Sequence, residues 1–81
     1  MGRLNAELHS FVGEVRREAG LTQAELGKRV QVSRQTIVAI ERGDYNPSTM
    51  VALRLAHVLR VPVERLFALP NGRGLDYREQ T

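Results

Sequence analysis

The side chains able to carry out chemistry are few and scattered in this sequence of 81 residues. Cysteine is absent, which excludes disulfides, thiolate nucleophiles and cysteine-ligated zinc. His9 and His57 are far apart and have no clustered ligands beside them, so we expect no metal site. The carboxylates are dispersed, and no glycine-rich phosphate-binding loop is present. We therefore expect no enzyme activity, no cofactor and no small-molecule ligand.

One segment, beginning at Arg34, does place hydrogen-bonding side chains together. A helix over this segment would put Ile37 and Ile40 on its buried side. The opposite side, with Arg34 beside it in the first turn, would carry Gln35, Val38, Ala39 and Arg42. A merely solvated face is expected to carry glutamate and lysine, so this composition indicates a binding surface.

Apolar residues recur at helical rather than strand spacing along the chain, so we expect an all-α fold. The predicted helices, five in number, cover about residues 5–19, 22–30, 33–42, 48–59 and 62–68. Thr22 and Glu25 form a capping box, and Ser33 and Ser48 are N-caps. We expect residues 1–68 to form one domain and residues 69–81, which have no periodicity, to be a flexible tail.

The second and third predicted helices are joined by only about three residues, 31–33. So short a connection forces a steep crossing, as in a helix-turn-helix, and Gly27 is small, as required where the two helices touch. In this geometry the N-terminal end of the second helix of the pair enters the DNA major groove, where each base pair presents a distinct pattern of donors and acceptors.

Five stretches together resemble the Cro/repressor-type helix-turn-helix family, also called the XRE family, of DNA-binding transcriptional regulators. They are GLTQAEL at 20–26, VSRQTI at 32–37, IERG at 40–43, NPS at 46–48 and VPVERLF at 61–67. The resemblance implies a compact five-helix bundle like that of lambda repressor, with the helix-turn-helix in helices 2 and 3.

The resemblance also implies roles for individual residues. The base-reading positions are Arg34, Gln35, Val38 and Ala39. Arginine suits guanine O6 and N7, glutamine suits adenine N6 and N7, and the small apolar side chains suit a thymine methyl. The positions that contact the DNA backbone are Gln23, Ser33, Thr36, Arg42, Tyr45 and Asn46. Arg16 and Glu41 match a structural ion pair between the first and third helices.

Three positions depart from the family pattern. Gln31 and Arg60 stand where many relatives have glycine, and both are expected to need left-handed backbone. Pro62 replaces a capping serine or threonine, so the fifth helix is expected to start differently.

The resulting hypothesis is a sequence-specific regulator, a repressor, that binds a near-palindromic operator as a homodimer. The expected dimer contacts are Val63, Phe67, Leu69 and Tyr77. The net charge of +3 and isoelectric point near 10.2 suit a polyanionic partner. With no signal peptide and no apolar run near the roughly 20 residues of a membrane span, we expect the cytoplasm of a prokaryotic cell, at the nucleoid.

A second hypothesis is a protein-interaction module, such as an antitoxin-like or adaptor partner with the same fold. An apolar stripe formed by Val51, Leu55 and Val58 motivates it, together with the tail. Residues 23–48 carry four cations against three carboxylates, a net charge of only +1, which weakens the case for DNA. A fully buried Leu55 would remove the main support for this alternative.

Overall fold

The computed structural model describes residues 8–70, which form a mostly helical domain. Its α-helices, four in this range, are α1 (Val12–Glu18), α2 (Gln23–Val30), α3 (Arg34–Arg42) and α4 (Thr49–Leu59). A single 3-10 turn follows at Val63–Arg65. Two short strands, β1 (His9–Ser10) and β2 (Phe67–Ala68), pair antiparallel, with His9 opposite Ala68 and Ser10 opposite Phe67. The longest of the described helices, α4, has 11 residues, and none is long and apolar enough to cross a membrane.

The N-termini of α2, α3 and α4 begin at the predicted capping residues. Thr22 Oγ1 accepts a hydrogen bond from the Glu25 backbone N–H at 3.0 Å, and the Glu25 carboxylate accepts one from the Thr22 N–H at 2.8 Å. The bond from the Thr22 backbone N–H holds the pKa of Glu25 below its ordinary value, and the bond to the Thr22 side chain lowers it further. Ser33 and Ser48 accept hydrogen bonds from the backbone N–H three residues later. The three predicted starts are therefore confirmed.

Each of the four helices is followed by a residue in left-handed backbone, directly after α2, α3 and α4 and one residue later, beyond Ala19, after α1. Gly20 and Gly43 take this conformation without a side-chain penalty. Gln31 and Arg60 take it as non-glycine residues, with φ of 66° and 59°, which confirms the expectation for both. After α3, for example, the Asp44 N–H reaches back to the Ala39 carbonyl at 3.0 Å, the bond that closes a Schellman motif.

The two ends of the domain differ from the prediction. The first helix begins at Val12, not near residue 5, because His9 and Ser10 are extended and pair with the end of the domain. The predicted fifth helix is only the 3-10 turn, because Pro62 supplies no side-chain cap and the following residues pair as β2. Over residues 8–70 the fold is mostly helical, as expected, but it has four α-helices and one short strand pair, so the count of five helices is not confirmed. The start predicted near residue 5 lies outside the described residues, as does the tail from residue 71 onward.

The core lies between the four helices and the segment after α4. Its buried residues are Val12, Val15, Leu26, Val30, Ile37, Ile40, Leu55, Leu59 and Leu66. Leu55 has no exposed surface, while Val51 and Val58 pack partly buried against this cluster. The stripe on α4 is thus a core face. The exposed side of α4 instead carries Met50 and Leu53, each more than half exposed.

Candidate nucleic-acid interface

The turn between α2 and α3 sets the angle of α3. The Val32 N–H donates to the Gly27 carbonyl at 2.9 Å, and the left-handed Gln31 reverses the chain. A Cβ on Gly27 would lie 2.9 Å from the Val32 carbonyl oxygen, closer than real contacts of this kind. The predicted small residue at the helix contact is therefore confirmed: only glycine lets the turn fold back this tightly.

The end of α2 is also held by a side chain from α4. Arg54, on α4, donates from Nη1 to the Val30 carbonyl at 3.3 Å. This carbonyl belongs to the last residue of α2 and has no partner within the helix. Arg54 thereby ties the start of the turn to α4, a contact that the sequence pattern did not suggest.

Ser33 fixes the first turn of α3. Its Oγ accepts from the Thr36 N–H at 3.0 Å and lies 2.9 Å from Thr36 Oγ1. Ser33 is exposed and Thr36 is half-buried. The two side chains are therefore ordered at the entrance of the helix, next to Arg34 and Gln35.

The outward face of α3 consists of the residues singled out from the sequence. Arg34, Gln35 and Arg42 are exposed, and Val38 and Ala39 are half-buried between them. The side chains of Arg34 and Gln35 form no hydrogen bond or ion pair with any residue in the range 8–70. This face can therefore offer donors, acceptors and small apolar groups to a partner without first breaking internal bonds.

The loop after α3 lies along one side of this face. Tyr45 is 47% exposed and Asn46 is exposed. A shallow depression runs between this loop and the start of α3, lined by Ser33, Gln35, Thr36, Ala39, Asp44 and Tyr45. Arg42 Nε lies 3.9 Å from Asp44 Oδ2, an exposed pair that contributes little to stability and leaves Arg42 available.

An ion pair lies on the other side of α3. Arg16 Nε donates to Glu41 Oε2 at 2.6 Å, Arg16 Nη2 reaches Oε1 at 3.3 Å, and Arg16 Nη1 donates to the Leu21 carbonyl at 3.0 Å. Gln23 Nε2 donates to Glu41 Oε1 at 3.0 Å. One carboxylate thus joins α1, α2 and α3, and an open groove beside it is lined in part by Gln23, Val38 and Arg42.

Gly13 is another residue, besides Arg54, to which the sequence pattern assigned no role in this site. A Cβ there would lie 3.1 Å from Glu41 Oε1 and 3.3 Å from Glu41 Cδ. The missing side chain therefore makes room for the Glu41 carboxylate. The available signal was a glycine inside a helical pattern, which often marks a close approach.

The expected dimer contacts lie away from this interface in sequence, after α4. Val63 and Phe67 are half-buried and Leu69 is exposed. Phe67 belongs to β2, and the neighbouring Leu66 carbonyl accepts from the Phe11 N–H at 2.8 Å. Tyr77 lies outside the described residues. In the same range no group of three or more His, Asp or Glu residues is arranged to hold a metal ion.

Comparisons with known proteins agree with this geometry. A family model described as helix-turn-helix matches residues 12–66. An HTH-type transcriptional regulator from Methanothermobacter thermautotrophicus is 48% identical over 63 residues, which cover 76% of this chain and 91% of the relative. The regulator YgzD from Bacillus subtilis is 43% identical over 58 residues, covering 72% and 88% of the two chains.

Solved structures show the same fold. The restriction-modification controller protein C.AhdI from Aeromonas hydrophila superposes with a TM-score of 0.62 at 30% identity, covering 65% of this chain and 77% of its own. A chain from the complex of the SinR and SinI proteins gives a TM-score of 0.65 at 27% identity, covering 85% and 67%. The four helices and their turn are therefore similar to those of these proteins.

Proposed function

Because this chain belongs to the helix-turn-helix family of XRE-type transcriptional regulators, we propose that it binds double-stranded DNA sequence-specifically, as a homodimer on a near-palindromic operator, and represses transcription there. Its family is one of regulators and not of enzymes. The site of action in this proposal is the nucleoid, in the cytoplasm of a prokaryotic cell.

The observation that carries the proposal is the exposure of Arg34 and Gln35 at the capped start of α3. In the proposed complex this end of α3 enters the major groove. Arg34 contacts guanine O6 and N7, and Gln35 contacts adenine N6 and N7. Val38 and Ala39, half-buried on the same face, contact thymine methyl groups.

The backbone contacts in this proposal surround the reading face. They come from Gln23, Ser33, Thr36, Arg42, Tyr45 and Asn46. Such contacts orient a protein on the duplex and carry no sequence information themselves. The depression beside Tyr45 and the groove beside Gln23 lie on the two sides of α3, where the sugar-phosphate chains that border a major groove would run.

A homodimer is proposed because one such helix reads only a few base pairs, too few for useful specificity. Two copies related by a two-fold axis would read half-sites about one helical turn apart, roughly 34–36 Å. The proposed dimer surface includes Val63, Phe67, Leu69 and Tyr77.

The alternative of a protein-interaction module loses its main support, since Leu55 is part of the core. The stripe that motivated it is not free to receive a partner. DNA binding is therefore the function we favour.

Selection from random duplex DNA tests the proposal. At about 150 mM salt nonspecific attraction is largely screened, so enrichment reports base reading. We expect a two-fold symmetric site with fixed spacing between its halves. An unsymmetric site would contradict the homodimer, and no enrichment by the folded protein would contradict sequence-specific binding and make partner capture the next experiment.

A further inference from the structure

The carboxylate of Glu41 is shared between a cation and an amide. Oε2 accepts from Arg16 Nε at 2.6 Å, and Oε1 accepts from Gln23 Nε2 at 3.0 Å. The side chains of Arg16 and Glu41 are each only 11% exposed. Glu41 is therefore a largely buried hydrogen-bond acceptor. Its Oε2 is paired with the Arg16 cation, and its Oε1 holds the Gln23 amide.

Gln23 lies on the outward side of this arrangement. It is half-buried in the first turn of α2 and lines the open groove beside Val38 and Arg42. One amide N–H is directed to Glu41, while the second N–H and the amide oxygen make no hydrogen bond to any residue from 8 to 70. One half of the amide is thus fixed and the other half is open to the groove.

We propose that Glu41 is a positioning residue for DNA binding: it holds the Gln23 amide so that its second N–H meets a backbone phosphate. The inference rests on the proposed function, and in it Glu41 acts on DNA binding through Gln23. Arg16 has a second task here, because it neutralises a carboxylate that would otherwise repel the phosphate.

The physical reason is preorganisation. A free glutamine side chain loses rotamer freedom when it binds, which subtracts from the binding free energy. A glutamine already hydrogen-bonded to Glu41 has lost much of that freedom before DNA arrives. Gly13 contributes to this arrangement, since a side chain there would displace the Glu41 carboxylate.

The test is a double-mutant cycle with Gln23→Ala and Glu41→Leu, because the leucine side chain has no oxygen to accept the bond from Gln23. The probe is a fluorescein-labelled duplex of about 20 base pairs and mixed sequence, at low salt, because phosphate contacts do not depend on sequence. Circular dichroism confirms that each variant is folded at the temperature used. We expect Gln23→Ala to weaken binding about tenfold in the original chain and less than about twofold in the Glu41→Leu background.

A second readout separates positioning from charge. Glu41→Leu removes a negative charge, which by electrostatics alone should tighten binding to DNA. Positioning predicts the opposite sign, a weaker complex. If Glu41→Leu does not fold, Glu41→Asp takes its place in the cycle, since it keeps the charge opposite Arg16 but shortens the reach to Gln23.

Arg34→Ala is the matched control, because Arg34 makes no hydrogen bond or ion pair with Glu41. Its fold-loss should be the same in both backgrounds. The inference is overturned if Gln23→Ala costs the same with and without Glu41, or if it costs nothing in the original chain. Failure of the original protein to bind any duplex is a different result, which overturns the proposed function itself.

Discussion

Arg16 Nε lies 2.6 Å from Glu41 Oε2, and this pair joins the first helix to the end of α3 across 25 residues of sequence. The two side chains are almost fully removed from solvent. Removing one partner of such a pair lowers the free energy of unfolding more than removing both, because the remaining partner is left as an unpaired charge.

We expect Arg16→Met to lower the free energy of unfolding by about 3–5 kcal/mol, since it leaves Glu41 unpaired. The double variant Arg16→Met with Glu41→Leu should be more stable than the single variant, because it removes both charges. Urea denaturation followed by circular dichroism measures both values. A single variant that loses less than about 1 kcal/mol would show that the pair behaves as a surface ion pair.

Gln35→Ala should weaken binding to the selected operator by about 1–3 kcal/mol and change binding to random duplex DNA little. The reason is that Gln35, exposed in the first turn of α3, is proposed to contact a base edge. Fluorescence anisotropy with the two duplexes gives the comparison, and random DNA is the internal control. Equal losses on both duplexes would remove Gln35 from the reading residues.

Gly27→Ala should lower both stability and DNA affinity, because its new Cβ would lie 2.9 Å from the Val32 carbonyl and force the turn apart. Overpacking of this kind costs about 1–3 kcal/mol. Gly20→Ala is the control: nothing lies within 4 Å of its Cβ, so it suffers only the left-handed strain of about 1–2 kcal/mol. Thermal unfolding should show comparable stability losses for the two variants. Fluorescence anisotropy should show a loss of DNA affinity for Gly27→Ala alone.

Gln31→Gly and Arg60→Gly should each stabilise the domain by up to about 1 kcal/mol, because both residues have positive φ. The greater flexibility of glycine in the unfolded chain offsets part of the relieved strain. Differential scanning calorimetry should show a rise in Tm for each variant. Ala24→Gly, in the first turn of α2, is the matched change and should lower Tm, since glycine disfavours a helix.

Glu25 should contribute to the acid sensitivity of the fold. Its pKa is lowered by the Thr22 backbone hydrogen bond, so its contribution to stability is fully present above the ordinary glutamate pKa of about 4.3. This contribution is lost as the pH falls through the lowered pKa of the folded state. Glu25→Gln should therefore lose less stability than the original chain between pH 7 and about pH 3. Identical pH profiles from thermal unfolding would contradict the role of this carboxylate.

Local signals in the sequence were sufficient to predict the helix boundaries in the middle of the domain. The starts of α2, α3 and α4 follow from Thr22, Ser33 and Ser48, because a capping side chain bonds to N–H groups only two or three residues away. The left-handed ends at Gln31 and Arg60 are likewise set within one turn. The face that carries Arg34 and Gln35 follows from helical periodicity alone.

The remaining features depend on pairings between distant residues, which no local pattern encodes. His9 is extended because it pairs with Ala68, and this contact shortens the first helix and replaces a predicted fifth one. Leu53 is exposed and Leu55 buried because the packing of α4 against its neighbours, and not its apolar content, decides which face is covered. By itself the sequence determined where α2, α3 and α4 begin and the exposed face that carries Arg34 and Gln35; tertiary structure decided where the ends pair and that Glu41 holds both Arg16 and Gln23.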